Sequence, residues 1–397
     1  MAERNAAKNT ATGDHLLNEK SAAALADKID QLVSKDFYNA DQVPKDWKPA
    51  FKAEHDNLLK SKSVFDFSQS MNRALAKMKA SHTQFVTKND ESFYFMRNLF
   101  GRMGRDRGRK LEGDYVGLGV GGAHAEKNQV RYVLDGSPAI AAGFKRGDRI
   151  ISVDGEPYTG YDMWYGKSGK DVAVTVRRNN SDVKLTVKPV KKDFLDAYVE
   201  ASEKSARLIN EGKHKIGYYH FWSGGEGSTD TFSEAVGTSL LQADALILDL
   251  RDGYGGASFD DLDFFFRPRS AYPEMKSVTR RGSSTMRQYF DKPLVVLINK
   301  GSRSGKELMA FGIKRSKRGT LIGDTTAGYV LGGRFRLLDD HCALYVAAVD
   351  VLLDGERLEG KGVDPDIVVS DNLGEKDEVL IAAIKNLKDQ LDGTAKP

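Results

Sequence analysis

Residues 292–311 read KPLVVLINKGSRSGKELMAF. KPLVVLI is an unbroken apolar run, the pattern of a strand buried on both faces. NKGSRS is a tight turn, and GKELMAF opens a helix. Strand, turn, serine and helix, in that order, are how an α/β enzyme presents a nucleophile. The pattern G-x-S-x-G is missing, and no histidine stands nearby. A serine at a helix start is also an N-cap. The stretch therefore leaves Ser304 between two roles, with Ser302 a second serine in the same turn.

The flanking segments continue the alternation over residues 194–372. KIGYYHFW reads as a strand, and STDTFSEAVGTSLLQA as an amphipathic helix with an N-terminal Ser/Thr cap. ALILDLRDGYGG is a buried strand ending in a glycine turn, and ASFDDLDFFFRP is helical. GTLIGDTTAGYVLGG gives a strand and a glycine-rich loop, and residues 341–369 give further strands and a turn. This order predicts a mixed sheet covered by helices, with ligands beyond the carboxyl ends of its strands. DLRDGYGG and NKGSRSGKE both fall at such ends. Asp260, Asp261 and Asp263 lack flanking histidines and read as a solvated acidic face rather than a metal site.

Two other regions precede this one, and a short one follows it. Residues 1–104 carry apolar residues at helical spacing and end in a basic loop, GRMGRDRGRK. Residues 105–193 break into short β-branched segments separated by Gly, Asp and Asn turns. Residues 373–397 read as a surface helix and a frayed tail. The fold class is α+β or α/β and multidomain.

Composition narrows the partners. Sixty Lys and Arg against 56 Asp and Glu leave a charge of +4, too small to argue for nucleic acid. A single cysteine, Cys342, excludes an internal disulfide. No apolar run approaches a membrane span, and the polar N-terminus has no signal core.

GSPAIAAGFKRGDRIISVDGEPY, with YVGLGV before it, resembles a PDZ domain. Backbone N–H groups at Gly117, Leu118 and Gly119 would then capture a chain-terminal carboxylate. Together with ALILDLRDGYGG, PLVVLINKGSRSGKE, GTLIGDTTAGY and LEGKGVDPDIVV, this module resembles the carboxyl-terminal processing, or tail-specific, proteases. The likeness is greater to their tricorn-like branch. It implies a ClpP/crotonase-like core, peptide or protein substrates, no metal and no cofactor. A periplasmic or extracellular site is implied too, with the cytoplasm as the alternative for a chain lacking a signal peptide.

The resemblance also implies roles. Ser304 matches the nucleophile. The lysine of one branch is replaced by Tyr329, which falls at the substrate side, and Lys306 is expected on the exposed face of its helix. The tricorn-like branch uses histidine and glutamate. His82 in KASHTQF fits the base, with His220 as a rival, and Glu359 fits the acid, with Glu356 on the opposite face of the strand. The N–H groups of Gly256 and Gly305 would form the oxyanion hole. Gly253 departs from the usual Asn. Two other readings remain open: an inactive PDZ-bearing peptide binder, and an esterase or amidase for small molecules.

Overall fold

The computed structural model describes residues 15–103, 115–122, 128–374 and 376–394. The basic loop therefore lies mostly outside the described residues, as do the first fourteen residues and the last three.

The N-terminal region is α1 (Glu19–Asp36), α2 (Lys48–Leu59), α3 (Val64–Leu75), β1 (Gln84–Thr87) and α4 (Glu91–Met103). The PDZ-like module follows. It comprises β2 (Val116–Gly117), β3 (Val120–Gly121), β4 (Tyr132–Val133), α5 (Pro138–Ala142), β5 (Arg149–Val153), β6 (Glu156–Pro157), β7 (Val172–Arg178), β8 (Ser181–Val187) and β9 (Val190–Lys191). Helix α6 (Phe194–Ser205) leads into β10 (Arg207–Glu211), β11 (His214–His220), α7 (Ser228–Glu234), β12 (Ala245–Asp249) and α8 (Asp263–Phe266). Then come β13 (Met275–Thr279), β14 (Gly282–Met286), β15 (Leu294–Ile298), α9 (Gly305–Arg315) and β16 (Thr320–Gly323). The last elements are β17 (Gly332–Leu337), β18 (Cys342–Val349), β19 (Leu352–Leu353), β20 (Glu356–Arg357), β21 (Ile367–Val368) and α10 (Glu378–Leu391).

The core is a six-stranded sheet in the order β10-β11-β12-β15-β16-β21, parallel except for β10. Both β12 and β15 are buried at all five residues, which is why their sequences are apolar without alternation. Met309, Ala310 and Ile313 of α9 join Phe232 of α7 over one face. The other face is covered by Val379, Ala383 and Leu387 of α10. The terminal helix is thus a layer of the core rather than a surface helix: its buried residues recur every fourth position and meet Ile247 and Val295.

Helix α7 starts at Gly227 with no side-chain cap, against the expected Ser/Thr cap; Ser228 Oγ instead donates to the Gly225 carbonyl. The acidic triplet is also not uniformly solvated. Asp261 is buried and accepts from Thr229 and the Ser258 N–H.

The N-terminal region shares a sheet with the core. β1 pairs with β18, and β18 with β17. Asp36, buried at the end of α1, takes Arg334 at 2.8 Å and Arg336 at 2.9 Å. These contacts bring the residues just before β1 to the end of the core sheet where β15 stops. Among the described residues, no helix is long and apolar enough to cross a membrane.

Candidate active site

At the end of β15 the chain turns through Asn299 and Ser302. Ser302 is fully buried; its hydroxyl donates to the Leu250 carbonyl and accepts from the Asn299 N–H. It holds the turn and does not reach solvent. Ser304 is the residue before α9, with φ 54° and ψ −126°, a conformation that favours glycine. Such backbone costs about 1–3 kcal/mol and persists only where the surroundings impose it. Here the Ser304 N–H donates to the Tyr329 carbonyl at 2.9 Å and to Glu307 Oε2 at 3.2 Å.

Glu307 is fully buried beneath this elbow. Its Oε1 accepts from Thr326 Oγ1 (2.6 Å) and the Gly328 N–H (2.7 Å), and its Oε2 from the Tyr329 N–H (2.7 Å) as well as Ser304. Burial raises its pKa, and the hydrogen bonds oppose that rise. The sequence reading missed this residue. Its signal was the S-x-x-E spacing of a capping box from Ser304 to Glu307.

His82 sits at positive φ, 55°, two residues before β1. Its Nδ1 is 2.8 Å from the Ser81 hydroxyl, which donates to Glu359 Oε2 at 2.8 Å. That hydroxyl has one hydrogen. With it given to the carboxylate, His82 Nδ1 must be the donor, and Nε2 keeps its lone pair. Glu359 also accepts from the N–H groups of Ser81, Val330 and Leu331. Glu359 therefore reaches His82 through Ser81, a link the sequence reading did not include. Burial lowers the His82 pKa to about 4; the Glu359 charge opposes the shift and Arg303 adds to it. The ring is neutral at physiological pH.

His82 and Ser304 line one cleft of about 420 Å³, with Gly256, Gly305 and Tyr329. Among the described residues no hydrogen bond joins Ser304 Oγ to His82, whose ring meets Ser81 instead. The N–H groups of Gly256 and Gly305 have no acceptor among the described residues. A Cβ on Gly255 would lie 2.7 Å from Ser304 Cβ, and one on Gly305 would lie 2.0 Å from the Ala257 carbonyl oxygen. The glycines are thus required by the close approach of the loop to the elbow. Gly253 has a local reason too: a Cβ there would lie 2.1 Å from the Trp222 carbonyl oxygen.

Lys306 corrects the expectation of an exposed side chain. It is fully buried and donates to the Asp252 carbonyl at 2.7 Å, under the glycine loop. It shares a face with Met309, Ala310 and Ile313, the buried stripe of α9. Burial lowers its pKa to about 7, against the pull of Asp249 and Asp252. His220 is packed: its ring stacks on Trp222 at 3.4 Å, and Nε2 lies 2.9 Å from the Arg251 carbonyl oxygen. Glu356 is exposed near Arg315, away from the buried Glu359.

In the PDZ-like module, Gly117 pairs with Val190, and Leu118 is buried with its carbonyl accepting from Ala139. Beside Leu118 and Val120 only about 10 Å³ remains among Glu91, Tyr158, Tyr161 and Trp164. A larger pocket of about 410 Å³ opens elsewhere, lined by Gly117, Gly119, Ser137 and residues of α6. Helix α4 joins the two sites: Tyr94 packs on Tyr115 and Tyr161 of the module, while Phe95, Met96 and Leu99 line the cleft.

A PDZ module beside an α/β core with a strained serine elbow defines the class of multidomain α+β proteins to which solved processing proteases belong. The tricorn protease structure matches 94% of this chain and 37% of its own at 19% identity, with a TM-score of 0.54. The photosystem II D1 C-terminal processing protease matches 88% of this chain and 93% of its own at 20% identity and a TM-score of 0.51. A carboxy-terminal-processing protease of Bartonella bacilliformis is 28% identical over 297 residues, 68% of this chain and 65% of the relative. Peptidase family S41 matches residues 215–369, and the PDZ domain matches residues 116–188. The chain is thus similar to the carboxy-terminal-processing and tricorn-like peptidases of family S41, with a match to the PDZ domain ahead of the matched core. It spans 50–65% of the length of the first curated relatives.

Proposed function

We propose that the chain is a serine endopeptidase acting on peptides or protein tails, with Ser304 as nucleophile, His82 as base and Glu359 acting through Ser81. The observation that carries this reading is one arrangement. A serine at a strained elbow shares a cleft with a histidine whose Nδ1 is committed to a Ser81–Glu359 relay. In this scheme Ser304 Oγ attacks the peptide carbonyl, and His82 Nε2 takes its proton and gives it to the leaving amine. The N–H groups of Gly256 and Gly305 receive the oxyanion, at the N-terminal end of α9, where the helix dipole favours negative charge. Water then releases the acyl group by the same base. Phe95, Met96, Leu99 and Val330 give the cleft an apolar wall, and half-exposed Tyr329 stands at its mouth as a substrate contact.

The reading extends to a ClpP/crotonase-like core, to tail docking at Gly117–Gly119 and to an extracytoplasmic site of action. Docking draws on the 410 Å³ pocket beside that loop. The test is covalent labelling by a fluorophosphonate together with peptide turnover. Ser304→Ala is expected to lose both, and Ser302→Ala to keep labelling. Labelling lost in Ser302→Ala and retained in Ser304→Ala would sink the assignment. Ester turnover without peptide turnover would make the chain an esterase.

A further inference from the structure

Fifteen large hydrophobic side chains are exposed among the described residues, and five of them (Phe259, Phe266, Tyr272, Met275 and Val278) fall within 259–278. One third of the exposed large apolar groups in twenty consecutive residues is a concentration that marks an interaction surface. The segment has two parts. The first is a platform, a 3₁₀ turn at Phe259–Leu262 followed by α8, which turns Leu262, Phe264 and Phe265 inward and leaves Phe259 and Phe266 outside. The second is an arm, the β13–β14 hairpin.

The arm lacks what an isolated hairpin needs. Among the described residues its strands pair only with each other, from Met275↔Met286 to Thr279↔Gly282, and β13 is exposed at every residue. A lone two-stranded ribbon is marginal in water, and its open edges invite pairing. Its charges are one-sided. Lys276, Arg280 and Arg281 have no ion-pair partner among the described residues; Arg287 pairs with Glu274 at 2.6 Å. The platform carries the opposite sign: Asp260 and Asp263 are exposed, also without an ion pair among the described residues, between Phe259 and Phe266. Arm and platform adjoin, since the chain leaving the arm bonds back through the Phe290 N–H to the Phe264 carbonyl at 2.8 Å.

A basic apolar arm beside an acidic apolar platform on one molecule is what a two-fold contact requires, because each copy must present both halves. We propose that this chain forms a two-fold dimer in which the arm of each copy, residues 272–287, lies on the platform, residues 259–266, of the other. Five-residue strands give an arm of about 17 Å. A stable interface buries about 1,200–2,000 Å² in total, and two equivalent contacts need only half of that each. The overall charge of +4 opposes the approach of two copies only weakly.

Sedimentation equilibrium of the full chain across the micromolar range tests this. Wild type is expected to be dimeric. Arg280→Glu with Arg281→Glu, and separately Asp260→Lys with Asp263→Lys, should each raise the dimer Kd at least tenfold, about 1.4 kcal/mol. All four changes together should restore association, a result that misfolding of either double variant could not produce. A monomeric wild type, double variants that dimerise as wild type does, or a quadruple variant no tighter than its parents would each overturn the proposal. Co-sedimentation of a monomeric wild type with phosphatidylglycerol vesicles would assign the arm to a lipid surface instead.

Discussion

Replacing Glu307 by Gln tests whether the buried carboxylate holds the Ser304 elbow. The carboxylate receives four donors, two on each oxygen. The amide can keep its oxygen toward Tyr329 and Ser304, which turns its NH2 toward Thr326 and Gly328. Thr326 Oγ1 already accepts from the Val363 N–H at 2.7 Å, but a hydroxyl oxygen has a second lone pair and can accept from the amide as well. The Gly328 N–H is then left without an acceptor, at about 1–3 kcal/mol. The opposite rotamer is worse, because the NH2 then meets two N–H groups and has no acceptor itself. The expected loss of stability is therefore about 1–3 kcal/mol, similar to the strain stored at Ser304. An elbow freed by that amount should lower kcat by roughly 10–100-fold, with KM changed less than about twofold. Urea unfolding reads the first quantity. Fluorophosphonate labelling, which needs the serine but no peptide, reads the second alongside turnover. A Glu307→Gln protein with wild-type labelling rate and urea midpoint would refute the clamp, and a raised KM at constant kcat would move Glu307's role to substrate binding.

Three further outcomes follow from the same geometry. With the His82 pKa lowered to about 4, kcat/KM should fall only as pH drops through about 4 and stay level up to neutrality; an acid limb near 6.5 would contradict the burial described for the ring. Ser81→Ala should cost at least roughly tenfold in kcat, and less than the ~10⁴ of a base held in the wrong tautomer, because it removes the Nδ1 acceptor and leaves the ring; unchanged turnover would exclude Ser81 from the relay. Lys306 holds a folded pKa of about 7, below its unfolded value, so the unfolded chain binds more protons and stability should rise between pH 7 and 10, by up to about 1.4 kcal/mol per pH unit. Lys306→Met should flatten that slope in urea unfolding, and a slope kept by the variant would assign it to other groups.

The parts that could be read from the sequence are those written locally. The buried strands β12 and β15 are apolar runs, the PDZ module is a chain of short β segments, and the serine turn lies between a strand and a helix. Lys306 was readable as well: it precedes Met309, Ala310 and Ile313 at helical spacing, so periodicity places it on the buried face, and only its charge argued for solvent. Helix α10 shows the same error. Its apolar stripe was present, but nothing local says which sheet face is left for it to cover. The link between Glu359 and His82 lay beyond local pattern, because it passes through a serine from the other end of the chain.

That link depends on non-local pairing. β1 meets β18 in antiparallel register, Gln84 opposite Tyr345, and this pairing fixes the turn that carries Ser81 and His82. Once the turn is there, the loop from Thr326 to Leu331 is strung between two buried carboxylates. Glu307 takes its Thr326, Gly328 and Tyr329 donors on the Ser304 side, and Glu359 takes its Val330 and Leu331 N–H groups on the His82 side. Consecutive N–H groups that point at different carboxylates leave the loop little freedom to slide. The separation of Ser304 from His82 is therefore set by this short loop and not by the relative placement of whole domains. Tyr329 follows from the same constraint: with its N–H on Glu307 and its carbonyl on Ser304, its side chain is left facing the cleft mouth, half exposed. A change anywhere in this loop that costs one of these N–H bonds should act on kcat before it acts on substrate binding.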